Sequence, residues 1–279
     1  MMKSSSKLLK STFTLLSLIT LAGTITPIVA TPTTIQAKKA KKKHYITAKN
    51  KHQFKFGYAY VYNKKKHCYI GHKMSKKERQ QFNMPKEQKI QKAKSNYDVP
   101  KISNFTDNIL DKYNLKGDRW ANIKITYNDN DLSTEQQNIV EQAIKQINQL
   151  NIITINKTTK TKANITFRLS NKENKNNVIG DTVINDEGQI YKGLITASTA
   201  TITLYSKGLN KYTNDDYKLK LNDVTLHELG HALGLGHNDQ NKHEIMQPIS
   251  DTKSIEKIDS THVAIDQDYI KGLAILYQN

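Results

Sequence analysis

The eleven residues from His227 to His237, HELGHALGLGH, constrain this chain more than any other stretch of it. His227 and His231 stand four positions apart, so an α-helix puts them on one face about one turn from each other, where two neutral imidazoles can reach one ion. Glu228, one step round the helix, leans over the open side of that ion without ligating it. A helix that ran straight on would carry any third ligand out of reach, so the chain has to turn back after His231. Gly234 suits that turn, because a residue without a Cβ takes positive φ at a helix end. His237 then supplies the third nitrogen. Three protein ligands with a fourth position left for water make a catalytic zinc site rather than a closed structural one. The competing reading is surface histidines on an ordinary helix, and the full HExxHxxGxxH spacing argues against it.

Downstream, His243-Glu244-Ile245-Met246-Gln247-Pro248 places a methionine beside a proline. The extended histidine motif followed by such a turn resembles the metzincin clan of metalloproteases, and Met246 is the candidate for the apolar floor beneath the metal. Met246 with Pro248 two residues later is similar to the matrixins within that clan. Ile265 to Tyr277 resembles the last matrixin helix, of the form LSQDDxxGIxxLYG. The resemblance runs over about residues 118 to 279 in order of elements.

Several positions depart from the family pattern. Pro248 stands where astacins and serralysins carry a tyrosine that can ligate zinc. Asn238 follows the third histidine where many relatives have serine, aspartate or glutamate, and Tyr269 replaces the second acid of the last helix. No histidine lies between Asn171 and Leu204, so the second, structural zinc of animal matrixins is expected to be absent. Asp181, Asp186 and Glu187 offer oxygen ligands for calcium, against the plainer reading of solvated acids in a polar loop.

The start of the chain bears on compartment. Lys3, Lys7 and Lys10 precede a largely apolar stretch from Leu15 to Ala30, the layout of a secretory signal peptide, with cleavage expected after Ala30 or Ala37. Thr20, Gly23, Thr24, Thr26 and Pro27 make the same stretch a poor membrane anchor. Residues 1–37 are therefore assigned as signal peptide and the protein is expected outside the cell or on its wall.

Charge divides the rest of the chain in two. Residues 38–101 carry 20 Lys and Arg against 3 Asp and Glu, a net of +17, whereas residues 102–279 carry 20 against 22, a net of −2. The basic segment should attract polyanions, and for an exported chain these are wall teichoic acids, phospholipid headgroups or acidic substrates rather than nucleic acid. A solvated flexible arm is the alternative. Within the segment Phe54, Phe56, Tyr58, Tyr60 and Tyr62 alternate, and His67-Cys68-Tyr69-Ile70 begins a second run after Asn63-Lys64-Lys65-Lys66, which predicts a β-hairpin with one aromatic face. This wording weakly resembles wall-binding modules of lactobacillar surface-layer proteins. Ser75 with Glu78 offers a capping box, and Pro100 marks a boundary. Cys68 is the only cysteine, so no intrachain disulfide forms. The PRCGxPD switch of animal matrixin proenzymes is absent; Cys68 is either a latency ligand for the metal or an ordinary strand cysteine.

Residues 102–279 suit one α+β domain. Trp120 to Tyr127, Ile152 to Ile155, Ala163 to Leu169 and Ala200 to Tyr205 are expected as strands. Ser133 with Gln136 caps a helix whose apolar face is Ile139, Val140, Ala143, Ile144, Ile147 and Leu150. Asn222 or Asp223 is expected to cap the histidine helix. The resemblance implies a twisted mixed sheet backed by two helices, a zinc cleft rimmed by the strand 200–205, a pocket shaped by residues 247–264, and a small irregular C-terminal part ending in a helix.

The function this implies is a secreted, single-zinc endopeptidase, monomeric, acting on protein or peptide substrates, with Glu228 as general base. Residues 38–101 are then a propeptide or a module that binds an anionic cell-wall polymer. The alternatives are a wall-associated binding protein with a weakly active or inactive zinc domain, and hydrolysis of wall peptide crosslinks.

Overall fold

Tyr58, Tyr60 and Tyr62 alternate along one strand, and their cross-strand partners show where that periodicity leads. The computed structural model describes residues 43–49, 53–55, 57–82, 87–172, 178–238, 245–248 and 264–279. In it β1 (Tyr45–Ala48), β2 (Tyr58–Asn63) and β3 (Cys68–Lys73) form an antiparallel sheet in the order β1-β3-β2. Tyr58, Tyr60 and Tyr62 pair with Lys73, Gly71 and Tyr69, so the tyrosines share one face. The expected hairpin thus gains a third strand, and Phe54 lies before β2 rather than in it. Phe54 is buried, stacks on Tyr60 with centroids 5.1 Å apart, and occupies the space that a Cβ on Gly71 would need. Helix α1 (Lys76–Gln81) comes next, with the Ser75/Glu78 capping box formed. Cys68 is half-buried and free. The signal-peptide segment and Phe56 fall outside the described residues.

After helix α2 (Asp107–Lys112), a six-stranded mixed sheet is built from β4 (Asp118–Trp120), β5 (Lys124–Asn128), β6 (Thr154–Lys157), β7 (Ile165–Ser170), β8 (Gly180–Tyr191) and β9 (Leu194–Tyr205). Five strands run parallel in the order β4-β9-β7-β5-β6, and β8 lies antiparallel to β9. Helix α3 (Thr134–Gln149) begins at the expected Ser133/Gln136 box and buries Ile139, Val140, Ala143, Ile144 and Ile147. It packs beside α5 (Asn214–Ala232), which comes after the short α4 (Ser206–Leu209). Ile125, Ile165, Phe167, Ile202 and Leu204 are at most 2% exposed, so the strand side chains and the two helices share one core. The chain ends in α6 (Gln267–Gln278), capped by Asp266. No helix among the described residues is long and apolar enough to cross a membrane.

The structure corrects four expectations. The first strand is two: β4 joins β9 and β5 joins β6 and β7, with Ala121 to Ile123 crossing between them. The stretch read as a polar loop holding Asp181, Asp186 and Glu187 is β8, whose exposed residues include Asp181, Val183, Asn185 and Asp186, so that its pattern reads as polar. β8, not the strand 200–205, is the edge strand: β9 pairs β8 on one side and β4 and β7 on the other, so it has no free edge. Helix α5 starts at Asn214 with Thr213 as its N-cap, well before Asn222 and Asp223, because Tyr217, Leu221 and Val224 carry its inner face further back and Asp215 and Asp216 fill its first turn.

Residues 87–105 run as an extended strap along the domain. Gln91 N–H donates to the Ala121 carbonyl (2.7 Å) and Ala93 N–H to the Tyr277 carbonyl (2.8 Å). The Arg119 guanidinium is buried, donates through Nη2 to the Gln91 carbonyl (2.6 Å), and lies 5.3 and 5.0 Å from the ring centroids of Tyr191 and Tyr277. Gln189 and Gln88 bond each other twice, at 2.7 and 2.8 Å, and Ile102 N–H donates to Asn279 Oδ1 (2.6 Å). Removing the strap strips a buried guanidinium of an acceptor. A chain starting at Ile102 is therefore expected to lose about 3 kcal/mol relative to one starting at Glu87, lowering Tm by roughly 6–12 °C in a thermal melt.

Candidate metal centre

The carboxyl end of α5 presents the histidines. His227 is 4% exposed and its Nδ1–H donates to the Ile245 carbonyl (2.6 Å), which leaves Nε2 with its lone pair. His231 repeats the arrangement, with Nδ1–H donating to the Leu235 carbonyl (2.9 Å). Each ring is thereby fixed in orientation and tautomer by a backbone acceptor, the support that metal-binding imidazoles require.

The third histidine is delivered by the end of the helix. Gly234 has φ +102°, and a Cβ there would collide with the Asp118 carbonyl oxygen. Gly234 N–H donates to His231 O (3.0 Å) and Leu235 N–H to Gly230 O (2.9 Å), closing the helix. The reversed chain is then held against residues 114–116: Lys116 N–H donates to Gly234 O (2.9 Å) and Gly236 N–H to Asn114 O (2.6 Å). The last helical carbonyls find side-chain donors, Trp120 Nε1–H on Ala232 O (2.9 Å) and the Tyr277 hydroxyl on Leu233 O (3.0 Å).

His237 comes to lie with its Nε2 3.1 Å from that of His231. One ligand nitrogen from each of the three histidines lies within 4.8 Å of the others, and this is the group of three or more His, Cys, Asp or Glu so placed among the described residues. Three nitrogens at about 2.0–2.1 Å from a tetrahedral zinc stand roughly 3.3 Å apart, so the set fits that ion. Burial holds His227 down to about 4 and His231 down to about 3, which keeps both imidazoles neutral and available as ligands near neutral pH. For calcium, Asp181 and Asp186 lie on β8 and the side chain of Glu187 is outside the described residues.

Glu228 is 5% exposed, and burial pushes its carboxyl up to about 7 against a hydrogen bond from Thr182 that lowers it. The Thr182 hydroxyl lies 2.6 Å from Oε2. Met246 is buried against Gly230, the residue before His231 on α5, where an added Cβ would collide with its sulfur. Asn238 N–H donates to Met246 O (2.8 Å) and Ile245 N–H to Asp266 Oδ2 (3.1 Å), tying the Met246 turn to the loop behind His237 and to the start of α6. Asn238 Nδ2 also reaches Asp268 Oδ2 (3.2 Å). Tyr269, where the family carries an acid, is buried and donates its hydroxyl to Leu226 O of the histidine helix (3.1 Å).

His227, Glu228, His231, His237 and Met246, picked out by sequence, all lie among the described residues, and the three histidines converge. Sequence reasoning missed Thr182, because nothing in a lone threonine marks it, and Gly230 and Trp120, whose roles appear only in packing. Most of the expected pocket segment, residues 249–263, lies outside the described residues. Gly234→Ala is expected to reduce zinc affinity at least about tenfold in a chelator-competition titration, since the strain falls on the turn that carries His237.

Comparison with known families gives one further finding. The family model for Matrixin matches residues 119–278, from within β4 to the end of α6. No curated protein matches the chain significantly.

Proposed function

The chain belongs to the matrixin family of zinc metallopeptidases, and we propose that it is a secreted endopeptidase in which His227, His231 and His237 hold one zinc and Glu228 is the general base. The observation that carries this reading is the convergence of three imidazoles, those of His227 and His231 oriented by backbone acceptors, with the buried carboxyl of Glu228 next in sequence to His227. A zinc held by His227, His231 and His237 would supply the Lewis acid that acidifies a water and polarises the scissile carbonyl. Glu228 accepts the proton of that water as its oxygen attacks the carbonyl carbon, then returns it to the amine as the C–N bond breaks. Met246 forms the apolar floor of the site. The outer edge of β8 near Gly180 to Ile184 is the surface on which an extended peptide adds as a further strand.

A site kept only for binding would have no use for a carboxylate held next to the ligands, which favours hydrolysis over a wall protein with an idle zinc domain. Cleavage of a peptide library by the protein from residue 38 onward is expected to require zinc, to stop with a chelator, and to fall at least about 10³-fold in Glu228→Gln. A zinc-loaded protein that cleaves nothing supports the binding role instead, and one that cuts only wall crosslinks replaces proteins as its substrate.

The sign of the pH dependence is set by the base. Glu228 works deprotonated, so the rate is lost as pH falls, and about 7 is the value without a dication. A neighbouring positive charge favours the carboxylate. The acid limb of kcat/KM is therefore expected at or below about 7; a limb above pH 8 contradicts the assignment.

For the basic segment we propose attachment to an anionic cell-wall polymer. What supports it is Tyr45, Tyr60, Val61 and Tyr62 exposed on a three-stranded sheet beside the Lys64-Lys65-Lys66 turn, in a segment of net +17. Binding to isolated teichoic acid is expected to weaken steeply between 50 and 500 mM salt, by about tenfold or more, and to disappear in a chain starting at residue 87.

A further inference from the structure

Two alternate residues of the edge strand face Glu228. Thr182 Oγ1 lies 2.6 Å from Glu228 Oε2 and 3.0 Å from the Glu228 backbone carbonyl. Gly180, two residues before it and so on the same face of β8, has no side chain; a Cβ there would stand 2.7 Å from Glu228 Oε1 and 2.8 Å from its Cγ. One position thus supplies a donor to one carboxylate oxygen, and the other leaves room for the second.

We propose that Thr182 and Gly180 are positioning residues for Glu228, holding its carboxylate so that Oε1 alone meets the attacking water. The inference rests on the reading of Glu228 as the base. A glutamate side chain has three rotatable bonds, and a base is effective only when its lone pair is held within hydrogen-bond reach of the proton it takes. The Thr182 hydroxyl has one proton to give. At 2.6 Å its bond has the length of a charge-assisted contact to a carboxylate, so Oε2 is occupied and Oε1 is the oxygen left to react. Val224, whose Cγ1 also lies 2.7 Å from the Cβ position of Gly180, closes the apolar side of the seat. The consequence is a link between the strand proposed to bind the peptide and the group proposed to cleave it. A shift of β8 moves the base as well as the substrate.

The test compares zinc-loaded wild type, Thr182→Val, Thr182→Ser, Gly180→Ala and Glu228→Gln, with kcat and KM measured separately beside zinc content and Tm. Thr182→Val keeps the shape and removes the donor, so kcat is expected to fall about tenfold to hundredfold with KM and zinc content within about twofold of wild type. Thr182→Ser restores the hydroxyl and is expected to recover most of kcat. Gly180→Ala, which crowds Oε1, is expected to lower kcat without loss of zinc, and it carries the test alone if Thr182→Val does not fold. If Glu228→Gln is inactive while Thr182→Val and Gly180→Ala keep wild-type kcat, the positioning role is overturned and the base stands. If the variants lose activity through raised KM, lost zinc or lowered Tm, or if serine does not rescue, the residues are structural and the inference fails. An active Glu228→Gln removes the base reading itself, and the inference with it.

Discussion

The reversal of the chain at Gly234 is the constraint on which the rest of the site depends. A helix delivers two ligands to one ion and then leads away from it, so the third must come from a chain that stops being helical within one turn of His231. That stop is made by a residue at φ +102° pressed against the Asp118 carbonyl. The surrounding architecture serves this contact. β4 brings Asp118 and Trp120 beneath the end of α5, Trp120 and Tyr277 satisfy the last helical carbonyls, and residues 114–116 receive the returning strand. The C-terminal helix α6 therefore acts as part of the metal site although none of its residues is a ligand.

Burial then does the electrostatic work. Removing His227 and His231 from water disfavours their charged forms, and neutral imidazole is the form that donates to a metal. The same desolvation raises Glu228 into the range where a carboxyl both takes and returns a proton near neutral pH. One apolar environment thus shifts the two histidines and Glu228 in opposite directions, each toward its neutral form. Backbone carbonyls at Ile245 and Leu235 hold the rings without introducing a further charge.

The parts legible in the sequence are those whose chemistry is local. The HExxHxxGxxH spacing brings together the histidines that could hold a metal because helix geometry relates positions four apart, and the α3 face and both capping boxes arise from periodicity and cap chemistry in the same way. Thr154–Lys157 and Ile165–Ser170 lie within two residues of the strands expected from their apolar runs. The features that escaped notice depend on partners far away in sequence. β8 pairs with β9 across a bulged register, and its exposed acids disguise a strand as a loop. The start of α5 at Asn214 is set by packing of Tyr217 and Leu221, not by the capping residues Asn222 and Asp223 within it. The strap over residues 87–105 has no regular pattern at all; it is held by Arg119, Gln189 and the end of α6, each of them remote.

The central claim is that three histidines from one helix and its reversed end share a single zinc. X-ray absorption spectroscopy of the zinc-loaded protein, with metal stoichiometry measured on the same sample, tests it most directly. The expected result is one zinc per chain with three imidazole nitrogens at about 2.0–2.1 Å and one lighter oxygen ligand, reduced to two imidazoles in His237→Ala. Two imidazoles in the unaltered protein, or a stoichiometry well below one, would contradict it, because the turn at Gly234 would then not bring His237 to the metal.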